Sequence, residues 1–187
     1  MKVLKKVLTD AFVLSPSVRK DSRGYFYESY NQNSLNRLLE TNYNFLQDNQ
    51  SSSALGTLRG IHFQTGEFAQ AKLVRVVKGK AFDVAVDLRP GSPSFKQCYG
   101  IELSSENHLQ FLIPRGFGHG FVALEENTVL QYKVDNYYSS QHDNGIIWND
   151  DTLGIHWPTR RLNMSQKDQN LKSFSSFDFF KVWNEEG

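Results

Sequence analysis

Between Phe82 and Arg89 the chain alternates strictly: Phe82, Val84, Val86 and Leu88 are apolar, and Asp83, Ala85, Asp87 and Arg89 lie between them. A period of two is the signature of a β-strand with two unlike faces. Leu109, Phe111 and Ile113 repeat the pattern, as do Leu130, Tyr132 and Val134. Lys72 to Val77 is a further strand candidate, tied to the next strand through Lys78-Gly79-Lys80, and Gly91-Ser92-Pro93 reads as a turn. A lone hairpin is marginal in water, so short strands in this number need each other, and a sandwich or barrel is the expected class. Helix signals are few. Ser34 is positioned to cap a short helix carrying Leu35, Leu38 and Leu39 on one face, and residues 162–171 read as a second. The aromatic-rich end (Phe174, Phe177, Phe179, Phe180, Trp183) has to pack on something.

Length and charge narrow the function. The chain of 187 residues fits one domain spanning 1–187 with a substantial core. A net charge of +1 argues against a nucleic-acid partner. Cys98 is the sole cysteine, which excludes an intrachain disulfide and favours a reducing cytoplasm. The N-terminus intersperses Lys2, Lys5, Lys6 and Asp10 among apolar residues, so neither a signal peptide nor a membrane span is expected.

Two segments concentrate the chemistry. Leu58-Arg59-Gly60-Ile61-His62-Phe63-Gln64 is answered by Pro114-Arg115-Gly116-Phe117-Gly118-His119-Gly120-Phe121. Histidine suits proton transfer near neutral pH, arginine suits anions, and glycine permits close approach. The pair suggests a pocket that holds an anion and moves a proton. Strict alternation, however, places Arg59 and His62 on opposite faces. For both to reach one pocket the strand must bend or bulge near Gly60. Other candidates have plain structural readings beside functional ones. Asp168 in Ser165-Gln166-Lys167-Asp168 fits a helix capping box as well as a histidine partner. Lys72 fits a solvated strand lysine, and Tyr132 shares a face with apolar Leu130 and Val134.

From about Asp21 to Asp168, these motifs in this order resemble the dTDP-4-dehydrorhamnose 3,5-epimerase family of cupin-fold sugar-nucleotide enzymes. The resemblance implies a mainly β, cupin-type jelly-roll barrel with a few short helices, forming a homodimer that exchanges N-terminal strands. It implies a dTDP-4-keto-6-deoxy sugar as substrate, with inversion at C3 and C5. His62 would be the base, Asp168 its carboxylate partner, Lys72 the stabiliser of the enolate oxygen and Tyr132 the proton donor. His119, with Asp83 as its neighbour, would contact substrate. Arg23, Glu28, Gln47, Asp48, Asn49 and Arg59 would bind the nucleotide, with Phe26 or Tyr138 stacking on the base. Asp143 stands where the family usually has glutamate, one methylene longer, and Lys167 is a further contact. No two of the histidines (62, 108, 119, 142, 156) are separated by one residue, so the His-x-His pair of metal-binding cupins is absent and no metal is expected. Neither a Rossmann fingerprint nor a P-loop occurs, and no cofactor is expected. The competing readings are an epimerase acting at one carbon, or on a related dTDP-ketosugar, and a non-catalytic sugar-nucleotide-binding module.

Overall fold

A computed structural model describes residues 1–184. In chain order its strands are β1 (Lys2–Val7), β2 (Ala11–Ser15), β3 (Arg19–Asp21), β4 (Gly24–Phe26), β5 (Gln47–Ser53) and β6 (Leu58–Gln64). There follow β7 (Lys72–Lys78), β8 (Lys80–Asp87), β9 (Cys98–Ser104), β10 (Gln110–Ile113), β11 (Phe117–Ala123), β12 (Thr128–Val134) and β13 (Asp143–Gly145). The first sheet runs β1-β2-β10-β7-β12-β5 and the second β13-β6-β11-β8-β9, while β3 and β4 form a separate hairpin. All of the ladders are antiparallel. The two large sheets face each other over a core that includes Val74, Phe111, Ile113 and Leu130 from the first and Ala81, Ala85, Phe117 and Phe121 from the second. This is the sandwich class expected from the alternation and the jelly-roll arrangement that the family resemblance implies. Its closure is one of packing, since no ladder joins the two sheets among the described residues.

Register assigns the faces. Phe111, Val74, Tyr132 and Asn49 lie in one row across the first sheet, and Ile113, Lys72, Val134 and Gln47 lie in the next. Both rows have the parity of the inward core residues. On the second sheet Ala81, Asp83 and Ala85 point inward, whereas Val84, Val86 and Leu88 point outward with Ile61 and Phe63. The outer set is covered by the chain's end, through Phe174, Phe179, Phe177 and Trp183. Alternation at β8 therefore separates two buried faces. The polar face is not the solvated one: Asp83 and Asp87 are both fully buried. A buried carboxylate has to be paired. Asp87 accepts hydrogen bonds from Arg89 Nε and Nη2 and from Ser94 Oγ at 2.6–2.9 Å.

The outer face of the first sheet is covered by α1 (Gln32–Leu39), whose Leu35 packs with Leu14, Leu73 and Leu112. Its cap is Asn31, three residues before the expected Ser34, because the Asn31 side chain accepts the Ser34 N–H at 3.0 Å. Leu38 turns outward to 37 % exposure, so the stripe is narrower than expected. The second helical stretch shortens to α2 (Gln166–Gln169), and α3 (Phe179–Asn184) ends the described chain. No helix among the described residues is long and apolar enough to cross a membrane.

Candidate active site

Gly60 resolves the conflict over faces. His62 pairs with His119 and Arg59 with Phe121, so β6 spends three steps where β11 spends two. This bulge turns Arg59 and His62 to the same side of the strand. Gly60 stands at φ +114°, and a Cβ there would lie 2.5 Å from Gly120 Cα and 2.6 Å from the His119 carbonyl oxygen. Only glycine satisfies both conditions.

The bulge aims His62 into a cavity of about 200 Å³ lined also by Gln64, Gln70, Lys72, Tyr132, Tyr138, Asp143 and Lys167. The His62 Nε2 lies 2.7 Å from Asp168 Oδ1. Asp168 also accepts the Gly60 N–H at 3.2 Å on Oδ1 and the Ser165 hydroxyl at 2.6 Å on Oδ2. Both sequence readings of Asp168 hold together: Ser165 caps α2 by accepting the Asp168 N–H at 3.1 Å, and that short helix carries the carboxylate to the imidazole. Burial favours the protonated acid, but the hydrogen bonds from His62, Ser165 and Gly60 outweigh it and take Asp168 down to about 2. A carboxylate at Nε2 fixes the tautomer with Nε2–H, which leaves the lone pair on Nδ1. That Nδ1 is buried and has no hydrogen-bond partner.

Lys72 is only 8 % exposed, not the solvated lysine of its plain reading, and its amine donates to the His62 carbonyl oxygen at 3.5 Å. Burial pushes it down to about 8, against the pull of Asp83 and Asp143. The amine also lies 5.9 Å from the centre of the Tyr132 ring. Burial raises the Tyr132 phenol above its usual range, with Asp143 adding and Arg59 opposing. His119 Nε2 is 2.9 Å from Asp83 Oδ2. Burial pushes this imidazole below its ordinary range against the pull of Asp83, and Lys72 and His62 push the same way. His62, Lys72 and Tyr132 thus line one cavity, and His119 stands buried behind it, its ring centre 6.4 Å from that of Tyr132.

The nucleotide-binding candidates divide. Gln47 and Asn49 face inward and bond to each other at 2.9 Å, while Arg59 reaches Ser53 Oγ at 3.4 Å on the same edge. Asp48 points to the opposite face of β5 and pairs with Lys133 at 2.6 Å. Asp143 bonds both Tyr138, at 3.0 Å, and Lys167 at the cavity mouth. Gln47, Asp48, Asn49 and Arg59 are not among the residues lining the cavity, and neither are Arg23 and Glu28: the Arg23 side chain is 88 % exposed and pairs with Asp21, and Glu28 accepts from Asn31. Gln70 was missed as a lining residue. Nothing in the local pattern marks it, since it precedes β7 and is fixed by a bond to the Asn136 carbonyl oxygen at 2.8 Å.

A jelly roll with a histidine–carboxylate pair, a buried amine and a phenol around one cavity defines an acid–base enzyme of the cupin type. Residues 5–176 match the family model for dTDP-4-dehydrorhamnose 3,5-epimerase, and the chain belongs to that family. It is 49 % identical over 169 residues to the dTDP-4-dehydrorhamnose 3,5-epimerase of Salmonella typhimurium, covering 90 % of this chain and 92 % of that one. The crystal structure of dTDP-6-deoxy-D-glucose-3,5-epimerase from Legionella pneumophila, in complex with dTDP-4-keto-L-rhamnose, superposes with a TM-score of 0.93. Identity to it is 37 %, over 100 % of this chain and 99 % of that one. A 3'-monoepimerase from Streptomyces bikiniensis in complex with dTDP-quinovose is also similar, with a TM-score of 0.88 and 27 % identity over 98 % of this chain and 92 % of that one.

Proposed function

We propose that this protein epimerises C3 and C5 of dTDP-4-dehydro-6-deoxy-D-glucose to give dTDP-4-dehydro-L-rhamnose, a step of dTDP-L-rhamnose biosynthesis in the cytoplasm. One observation carries the reading: a carboxylate-anchored His62 in a cavity shared with Lys72 and Tyr132. The hydrogens on C3 and C5 flank the C4 ketone and are weakly acidic. The His62 imidazole takes one, the C–H electron pair moves into the ring, and negative charge collects on the ketone oxygen. The Lys72 ammonium stabilises that oxygen. Tyr132 then gives its phenolic proton to carbon from the opposite face, which inverts the centre at C5. Imidazolium and phenolate return to their starting states by net transfer of one proton through solvent. The same base serves C3.

Arg59, Gln47 and Asn49 suit the diphosphate and base at the cavity mouth. Tyr138, 56 % exposed, is available to stack on the thymine, and Asp143 and Lys167 suit the sugar-nucleotide junction. Arg23 and Glu28 reach the ligand from a second copy. Among the described residues the β3–β4 hairpin forms no ladder with either large sheet and leaves Phe26 73 % exposed, which suits an arm that serves a second protomer. We take residues 1–187 as one epimerase domain, because both sheets contribute to one cavity.

Proton NMR of the product formed in deuterium oxide tests the proposal. Deuterium at both C3 and C5 is expected, with loss of both exchanges in His62→Ala and a fall in kcat of about 10²–10⁴. Label at one carbon alone would replace the two-centre reading with a mono-epimerase. Undiminished turnover by His62→Ala would remove the base.

A further inference from the structure

The mechanism leaves the buried acid nearest the site, Asp83, unused. Asp83 is fully buried on the inward face of β8, and its Oδ2 bonds the His119 imidazole at 2.9 Å. Its other oxygen, Oδ1, is buried and has no hydrogen-bond partner. A carboxylate oxygen without a donor is costly inside a protein and calls for a compensating charge. On the facing sheet stands the complementary anomaly. Lys72 is 8 % exposed, its amine bonds a carbonyl oxygen at 3.5 Å, and among the described residues no carboxylate forms an ion pair with it. The titratable groups around the amine are His62 from β6, Asp83 from β8, His119 from β11, Tyr132 from β12, Tyr138 from the segment after it, Asp143 from β13 and Lys167 from α2. Of the two carboxylates in this set, Asp143 already bonds Lys167 and Tyr138. Asp83 retains an unsatisfied oxygen.

We propose that Asp83 is a positioning residue shared by two groups: Oδ2 orients His119, and Oδ1 supplies the negative charge that keeps the Lys72 amine protonated between the sheets. The inference rests on Lys72 acting as the enolate's partner, and it adds the residue that keeps that partner charged. Without Asp83, a buried amine is driven to its neutral form by burial alone. A neutral amine cannot balance a developing oxyanion.

The test reads Lys72 directly. The full chain is labelled with ¹³C at lysine Cε, and the Lys72 resonance is identified by its loss in Lys72→Arg. Asp83→Asn keeps the shape and removes the charge. Its Lys72 resonance is expected to titrate at a proton affinity at least tenfold weaker than in the unsubstituted protein. The alkaline limb of kcat/KM should move to lower pH by the same factor. A change of less than twofold in the Lys72 titration would overturn the proposal. Should Asp83→Asn fail to fold, His119→Phe provides a test of opposite sign: it removes the donor at Oδ2 and is expected to strengthen proton binding by Lys72, and an unchanged midpoint would again overturn it. A shifted Lys72 titration in a protein that exchanges no sugar protons would sink the proposed activity and leave the Asp83–Lys72 coupling standing.

Discussion

At the scale of single residues, the site depends on moving pKa values apart. Asp168 is held at about 2, below its ordinary 3.8, by donors that outweigh the effect of its burial. A carboxylate with a lowered folded pKa contributes stability above its unfolded value and loses it as pH falls through the folded one. The gap corresponds to about 2 kcal/mol at neutral pH. Asp168→Asn should therefore lower unfolding free energy by about 2 kcal/mol at pH 7, and by much less below the folded value, when the two proteins are compared by urea denaturation. It should also slow turnover, because the amide no longer fixes the tautomer with its lone pair on Nδ1. Lys72 sets the opposite limb. Its ammonium is required for the enolate and is lost as pH rises through about 8, so kcat/KM should fall above that pH. Tyr132 is not the cause of that limb, because its phenol is held above its usual range and keeps its proton there. Lys72→Met should lose activity at every pH and show no such limb, which a pH–rate profile checks.

At the scale of elements, one bulge decides whether β6 is a strand or a catalytic strand. Gly60 occupies a left-handed backbone position and leaves no room for a methyl group against Gly120 and His119. Gly60→Ala combines backbone strain with a clash against backbone atoms. It should cost about 3 kcal/mol or more, visible as a lower Tm, and should reduce kcat further by displacing His62. The need for a distortion here follows from spacing alone, since Arg59 and His62 are three apart. The strand β5 was far less legible. Gln47-Asp48-Asn49-Gln50-Ser51-Ser52-Ser53 has no apolar alternation, yet it pairs along its whole length with β12. Its inward residues are polar, with Gln47 and Asn49 bonded to each other at 2.9 Å, so the pattern that marks a core strand is missing. Asp48 falls on the other face for the same geometric reason that Gln47 and Asn49 fall inward.

At the scale of the whole molecule, the chain's end seals the second sheet. Phe179 is 4 % exposed and its ring meets those of Phe63, Phe95, Phe174 and Phe177. Phe63 is the neighbour of His62 in β6, so this aromatic layer supports the catalytic strand from behind. Phe179→Ala should cost about 3–5 kcal/mol in denaturant unfolding. Dimerisation makes a separate prediction. If the hairpin carrying Arg23 serves a second copy, His62→Ala and Arg23→Ala protomers are each inactive alone. Mixed after dissociation and reassociation, they should recover up to about a quarter of the unsubstituted activity per site, because half of the dimers are then mixed and each holds one intact site. Failure of the mixture to recover would place Arg23 outside the partner's cavity.

What the chain alone determined was class and inventory. Alternation at β8, β10 and β12 required a two-sided β structure, and the ordered motifs around His62 and His119 named the chemistry. Both are local properties, carried by neighbours in sequence. What tertiary structure decided was which face is inside and which groups meet. Alternation left open which face of β8 is covered, and both are: the C-terminal aromatics bury one, and Asp83 and Asp87 are buried on the other. Asp168 meets His62 across 106 positions of chain, and Lys72 faces Asp83 from the opposite sheet. Such encounters depend on the register and stacking of distant strands, and periodicity of two carries no information about which sheet a strand will face.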